Sequence, residues 1–118
     1  MARRWHDGHG TLRIPGTPPL PLEIAASYRA RTRGLLGRTG IDGALLLTPA
    51  ASVHTIGMRF AIDVAYLDRH DTVLAVRTMP PGRLGRVRLR ARRVLESEAG
   101  AMGRWGLRPG VAVQFDAD

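Results

Sequence analysis

The sequence predicts a mostly β protein: one small β-sandwich or jelly-roll-like barrel carrying two short helices. Two observations lead there. Apolar and polar residues alternate over short runs, as at Leu20, Leu22 and Ile24, which is the period of a half-buried strand. Turn residues cut these runs at close spacing, with 14 Gly and 8 Pro in 118 residues, a pattern of many short strands rather than long helices. At this length, 44% hydrophobic residues supply one modest core, so a single domain over residues 11–118 is expected.

The elements follow in order. Residues 1–10 are polar and Gly-rich and read as a flexible tail. Thr11 to Ile14 form a first strand, and Leu20 to Ala25 a second, with Pro21 placing it at an edge or making its start irregular. Ser27 can cap a helix over 28–36, with Tyr28, Thr32, Leu35 and Leu36 as its buried stripe and Gly37 ending it. Residues 43–48 make a short buried strand stopped by Pro49, and residues 50–62, without a clean period, make a loop. Asp63 to Asp68 and Thr72 to Val76 pair as a hairpin around Arg69-His70-Asp71. Arg86 to Arg92 alternates, so a strand there would present Arg86, Arg88, Arg90 and Arg92 on one face. Val94 to Ser97 is a strand, 99–106 a short helix, and Val111 to Phe115 the last strand.

Composition excludes several function classes. No apolar run approaches the ~18–20 residues of a bilayer span. Zero Cys removes disulfides, thiolate zinc sites and cysteine nucleophiles. The N-terminus has a basic pair with no apolar stretch behind it, so a cytoplasmic, full-length protein is expected. The net charge of +8 comes entirely from Arg, with no Lys in the chain, and six aromatics do not interleave with the densest Arg run. Specific nucleic-acid recognition is therefore not expected.

Enzyme signatures are sparse. Without Lys there is no phosphate-binding loop of the Gly-rich Lys type. The three serines lie outside any nucleophile elbow, and Ser52 and His54 on a strand would stand ~7 Å apart, beyond a hydrogen bond. No metal or cofactor is expected; His6 and His9 on a Gly-rich tail are a weak ligand set. The dense segment runs from Ser52 to Asp68. Asp63 shares a strand face with Ala65 and Leu67, and an inward carboxylate must find a cation or several donors, with Arg33, Arg38 and Arg59 as candidates. Glu96 poses the same problem beside Val94. One reading is a structural ion-pair network; the other is a polar pocket in which His54 and Arg59 donate and Asp63 accepts.

These residues resemble a family, the bacterial and archaeal domain of unknown function 192, over roughly 20–115. The resemblance rests on Arg33 to Arg38, on Val53 to Asp68, on Pro80, on Val94 to Gly100, and on Gly106 with Gly110. It implies a compact β-rich domain of jelly-roll or barrel type and no established activity. Some members of the family it resembles look exported or lipid-anchored, and some lie near pilus or secretion genes. Many carry Trp-Met-Lys-Asn where this chain has Ile56-Gly57-Met58-Arg59, and others a Cys where Ala51 stands.

Three function classes follow. The leading expectation is a binding module for a small anionic or hydroxylated ligand, with His54, Thr55, Met58, Arg59, Asp63, Arg38 and Glu96 around its pocket. The second is an accessory protein, pilus or secretion associated, whose Arg86–Arg92 stripe meets an acidic protein partner. The third is an enzyme with His54 as acid/base, oriented by Asp63 or Glu96.

Overall fold

The computed structural model describes residues 5–118. Seven strands form one sheet: β1 (Gly8–Arg13), β2 (Leu20–Ala25), β3 (Ala44–Leu47), β4 (Ile62–Leu67), β5 (Val73–Met79), β6 (Arg93–Glu98) and β7 (Gln114–Ala117). Two short helices, α1 (Tyr28–Arg33) and α2 (Ala101–Arg104), complete it. The strand order is β5-β4-β6-β3-β2-β1-β7, antiparallel except for the parallel β2–β3 pair. Among the described residues no helix is long and apolar enough to cross a membrane.

Three adjacent interior strands, β4, β6 and β3, explain the burial. Every residue of β3 and β4 is buried, and so are four consecutive residues of β6, because both faces of the sheet are covered. Alternation then divides the core. Leu12, Leu46, Ala65, Leu95 and Phe115 pack on one face with Met102 of α2, and Leu45, Leu47, Val64, Tyr66 and Val94 pack on the other with Leu35 and Met58. The first cluster draws residues from both ends of the sheet, so the sheet curls around it. It does not close into a barrel. Among the described residues the two edges meet where Thr72 bridges Ala112, with Val73 N–H donating to Val111 and Val113 N–H to Asp71.

Several expectations need correction. The N-terminal strand starts at Gly8 rather than Thr11: Gly8, His9 and Gly10, read as tail, pair with Ile24, Glu23 and Leu22. A Cβ at Gly10 would stand 2.2 Å from the Asp116 carbonyl oxygen, so the glycine permits the β1–β7 approach. Residues 1–4 of the expected tail lie outside the described residues. Pro21 is not on an edge strand, since β2 lies between β1 and β3; the β2–β3 pairing begins one residue later, at Leu22.

Ser27 caps α1 as its Oγ accepts from Ala30 N–H, but the helix stops at Arg33 because Gly34 turns to φ 47. The predicted stripe breaks there: Leu35 is buried from the following turn, while Tyr28 is 77% exposed. The last strand begins three residues late because 111–113 bond to the β5 side first.

The largest departure is at residues 86–92, which form a loop and not a strand. Their amides find scattered partners rather than a ladder: Arg88 N–H donates to Ala51, Ala91 N–H to Arg88 and Arg92 N–H to Leu67. Val87 and Leu89 face solvent, while Arg88 turns inward and stacks 4.7 Å from the Tyr66 ring centroid. The four arginines therefore share no strand face.

Candidate functional site

Glu96 sits on β6 opposite Val64 of β4, so its side chain enters the face packed with Val64, Tyr66 and Val94. It is 4% exposed. Among the described residues its carboxyl takes part in no hydrogen bond or ion pair. Burial without a compensating partner raises its pKa from the ordinary 4.5 to about 7. The carboxyl borders a cavity of about 370 Å³. Buried Leu35, Leu47 and Met58 line it beside Glu96, and the more exposed Tyr28, Arg31, Thr32, Arg33, Ser52 and His54 are among its other walls.

Local sequence sets these walls. Asp7 accepts from the Ala26 and Ser27 amides at 2.7 and 2.8 Å and from Ser27 Oγ at 2.6 Å, which fixes the entry of α1. These three donors hold the Asp7 carboxyl below its usual range. Arg31 spends its guanidinium on the Ala26 and Pro49 carbonyls, tying α1 to the loop after β3. Arg33 makes no side-chain hydrogen bond or ion pair among the described residues. Gly34 passes next to the carboxyl: a Cβ there would lie 3.7 Å from Glu96 Oε1.

Of the predicted site residues, the structure brings His54, Met58 and Glu96 to this one cavity. The others go elsewhere. Asp63 serves the opposite face, where it accepts from Thr78 Oγ1 at 2.6 Å and from the Gly100 and Met102 amides at 2.8 and 3.2 Å. These donors replace the arginine expected for it. Arg38 forms a bidentate pair with Glu23 at 2.7 and 2.8 Å. Thr55 is a buried latch, donating to the Pro80 carbonyl and accepting from Arg83 N–H, which joins the loop after β3 to the loop after β5. Arg59 is exposed and does not line the Glu96 cavity. His54 makes no hydrogen bond to Asp63 or Glu96, so no acid orients its ring. Tyr28, Arg31, Thr32 and Ser52 are not among the ligand-binding residues the sequence suggests, and Arg33 is suggested only as a cation for an inward carboxylate; the Arg33-Gly34-Leu35-Leu36 run is the available signal.

A wider groove of about 840 Å³ lies near Trp5 and Phe115. Its charges already neutralise one another, Arg93 with Asp71 at 2.9 Å and Arg13 with Asp116. Among the described residues no group of three or more His, Asp or Glu side chains could hold a metal.

Comparison with known proteins gives a fold and a family. No curated protein matches the chain. A crystal structure from Sinorhizobium meliloti, of a protein provisionally named a transcription regulator, is similar with a TM-score of 0.80 at 19% identity, covering 96% of this chain and 98% of that one. A protein of unknown function from Novosphingobium aromaticivorans is similar with a TM-score of 0.69 at 18% identity, covering 88% and 83%. At such identities the likeness is one of fold. The model of the DUF192 family, described as uncharacterized ACR, matches residues 11–115, and the chain belongs to that family.

Proposed function

We propose that the protein is a binding module for a small hydroxylated ligand, held in the cavity bordered by Glu96. The observation that carries this reading is the carboxyl itself: 4% exposed, without an internal partner, and open to a cavity. An unsatisfied buried polar group costs free energy that a bound donor recovers. A ligand hydroxyl or amine supplies that donor. Leu35, Leu47 and Met58 give the ligand apolar contact, and the free guanidinium of Arg33 with the Thr32 and Ser52 hydroxyls offers it polar ones near the mouth. An anionic end is accommodated toward Arg33, which supplies the cation that the Glu96 carboxyl does not.

The test is an NMR titration with glucose and with glucuronate, which differ by a carboxylate. The reading expects resonances of residues 31–36, 52–54 and 58 to shift with at least one of them, and the Glu96→Leu variant to lose the response. Shifts confined to other surfaces, or none with either sugar, would sink it.

A further inference from the structure

A second surface lies on the loop between β5 and β6, apart from the Glu96 cavity. Among the described residues five large hydrophobic side chains are exposed, and three of them sit within six positions here: Leu84 at 78%, Val87 at 67% and Leu89 at 89%. Exposed arginines alternate with them at 83, 86, 90 and 92. No Asp or Glu occurs between Asp71 and Glu96. None of these arginines forms an ion pair among the described residues; the Arg90 charge is felt by Asp68 across the turn.

The base of the loop is fixed. Thr55 holds Pro80 and Arg83, Gly85 N–H donates to Val53, Arg88 lies over Tyr66, and Ala91 is buried. Apolar side chains are thus displayed on an anchored support, where a collapsing loop would have hidden them.

We propose that this loop docks the protein onto an anionic lipid surface. Leucine and valine side chains standing out singly among guanidinium groups match an interface that is fluid and apolar beneath a layer of phosphates. The guanidinium fork bonds phosphate oxygens in pairs, and the attraction requires no shaped partner pocket. A folded acidic protein would need complementary hollows for three separate side chains, so the bilayer is the occupant that the geometry favours.

The experiment is co-sedimentation with vesicles of equimolar phosphatidylglycerol and phosphatidylcholine, against vesicles of phosphatidylcholine alone, over a salt series. Wild type is expected to partition onto the mixed vesicles and not onto the neutral ones. Leu84→Ser with Leu89→Ser should weaken partition about tenfold or more by removing apolar insertion. Arg86→Ser with Arg90→Ser should weaken it and flatten its salt dependence. Since all four side chains are exposed, thermal midpoints near wild type verify that the variants are folded. Failure of wild type to partition overturns the proposal. So does unchanged partition of the Leu variant, which would reduce the loop to a bare charge patch. Binding to polyglutamate without binding to vesicles would also overturn it, and would assign the loop to an acidic protein.

Discussion

Asp63 and Glu96 stand one register step apart on neighbouring strands and turn their carboxyls to opposite faces of the sheet. Asp63 faces Ser97 in the ladder, and Val64 faces Glu96, so the pleat separates them although β4 and β6 are adjacent. Among the described residues one carboxyl then meets three donors and the other none. Structural and functional candidates of the same residue type are told apart by that single step.

Glu96 makes stability fall as pH rises through neutrality. Unfolded, it releases its proton near the ordinary 4.5; folded, it keeps it to about pH 7. Across that window the native state holds more protons, so stability is lost on going up in pH, by roughly 3 kcal/mol in full. Glu96→Gln removes this dependence. Urea denaturation of both proteins at about pH 5 and about pH 8 should show near-equal stability at the acid end and a more stable variant at the alkaline end. Parallel curves at both values would mean that the carboxyl is solvated in the native state.

Asp63→Ala should cost about 2–4 kcal/mol, because it strips an acceptor from the Thr78 hydroxyl and two amides at the start of α2. Asp63→Asn keeps one acceptor oxygen and should lose roughly half as much. Chemical denaturation decides it, and a wild-type midpoint for Asp63→Ala would remove Asp63 from the structural framework.

The sequence was legible where local pattern and tertiary packing agree. The hairpin around Asp68 to Thr72 and strand β2 have alternation, β-branched residues and turn chemistry pointing one way, and both formed. The Arg86 to Arg92 alternation misled because period two says nothing unless one face is buried; here Val87 and Leu89 are out and Arg88 is in. Gly10 misled in the opposite sense, since tight strand approach and chain fraying call for the same residue. For the site, chain proximity was the weak guide. It grouped Arg59 and Asp63 with His54, whereas the cavity is assembled from the α1 segment, the end of β3 with the loop after it, and one residue of β6, brought together by the sheet order.

Arg38 provides a check on that reassignment. Its bidentate bonds lower the Glu23 pKa and raise its own, and the pair is partly exposed. Arg38→Ala should therefore cost less than about 1 kcal/mol. The contribution is present above the ordinary glutamate range and fades as pH falls through the lowered Glu23 value. Ligand response at the Glu96 cavity should be unchanged; a lost response would restore Arg38 to the site.

The loop arginines separate by what each touches. Arg88 stacks on Tyr66, whose ring is buried in the core cluster with Leu45, Val64 and Val94, and its backbone amide donates to the Ala51 carbonyl. Arg86 and Arg90 make no such contact and are exposed. Arg88→Ala should then cost about 1 kcal/mol, from the lost cation–π contact and the packing of its stem over the ring. Arg86→Ala and Arg90→Ala should stay within about 0.5 kcal/mol of wild type. Thermal denaturation of the three single variants distinguishes this from a uniform charged stripe, on which all three would behave alike. Equal midpoints for Arg88→Ala and Arg86→Ala would contradict an inward, stacked Arg88 and return the segment to a row of equivalent surface charges.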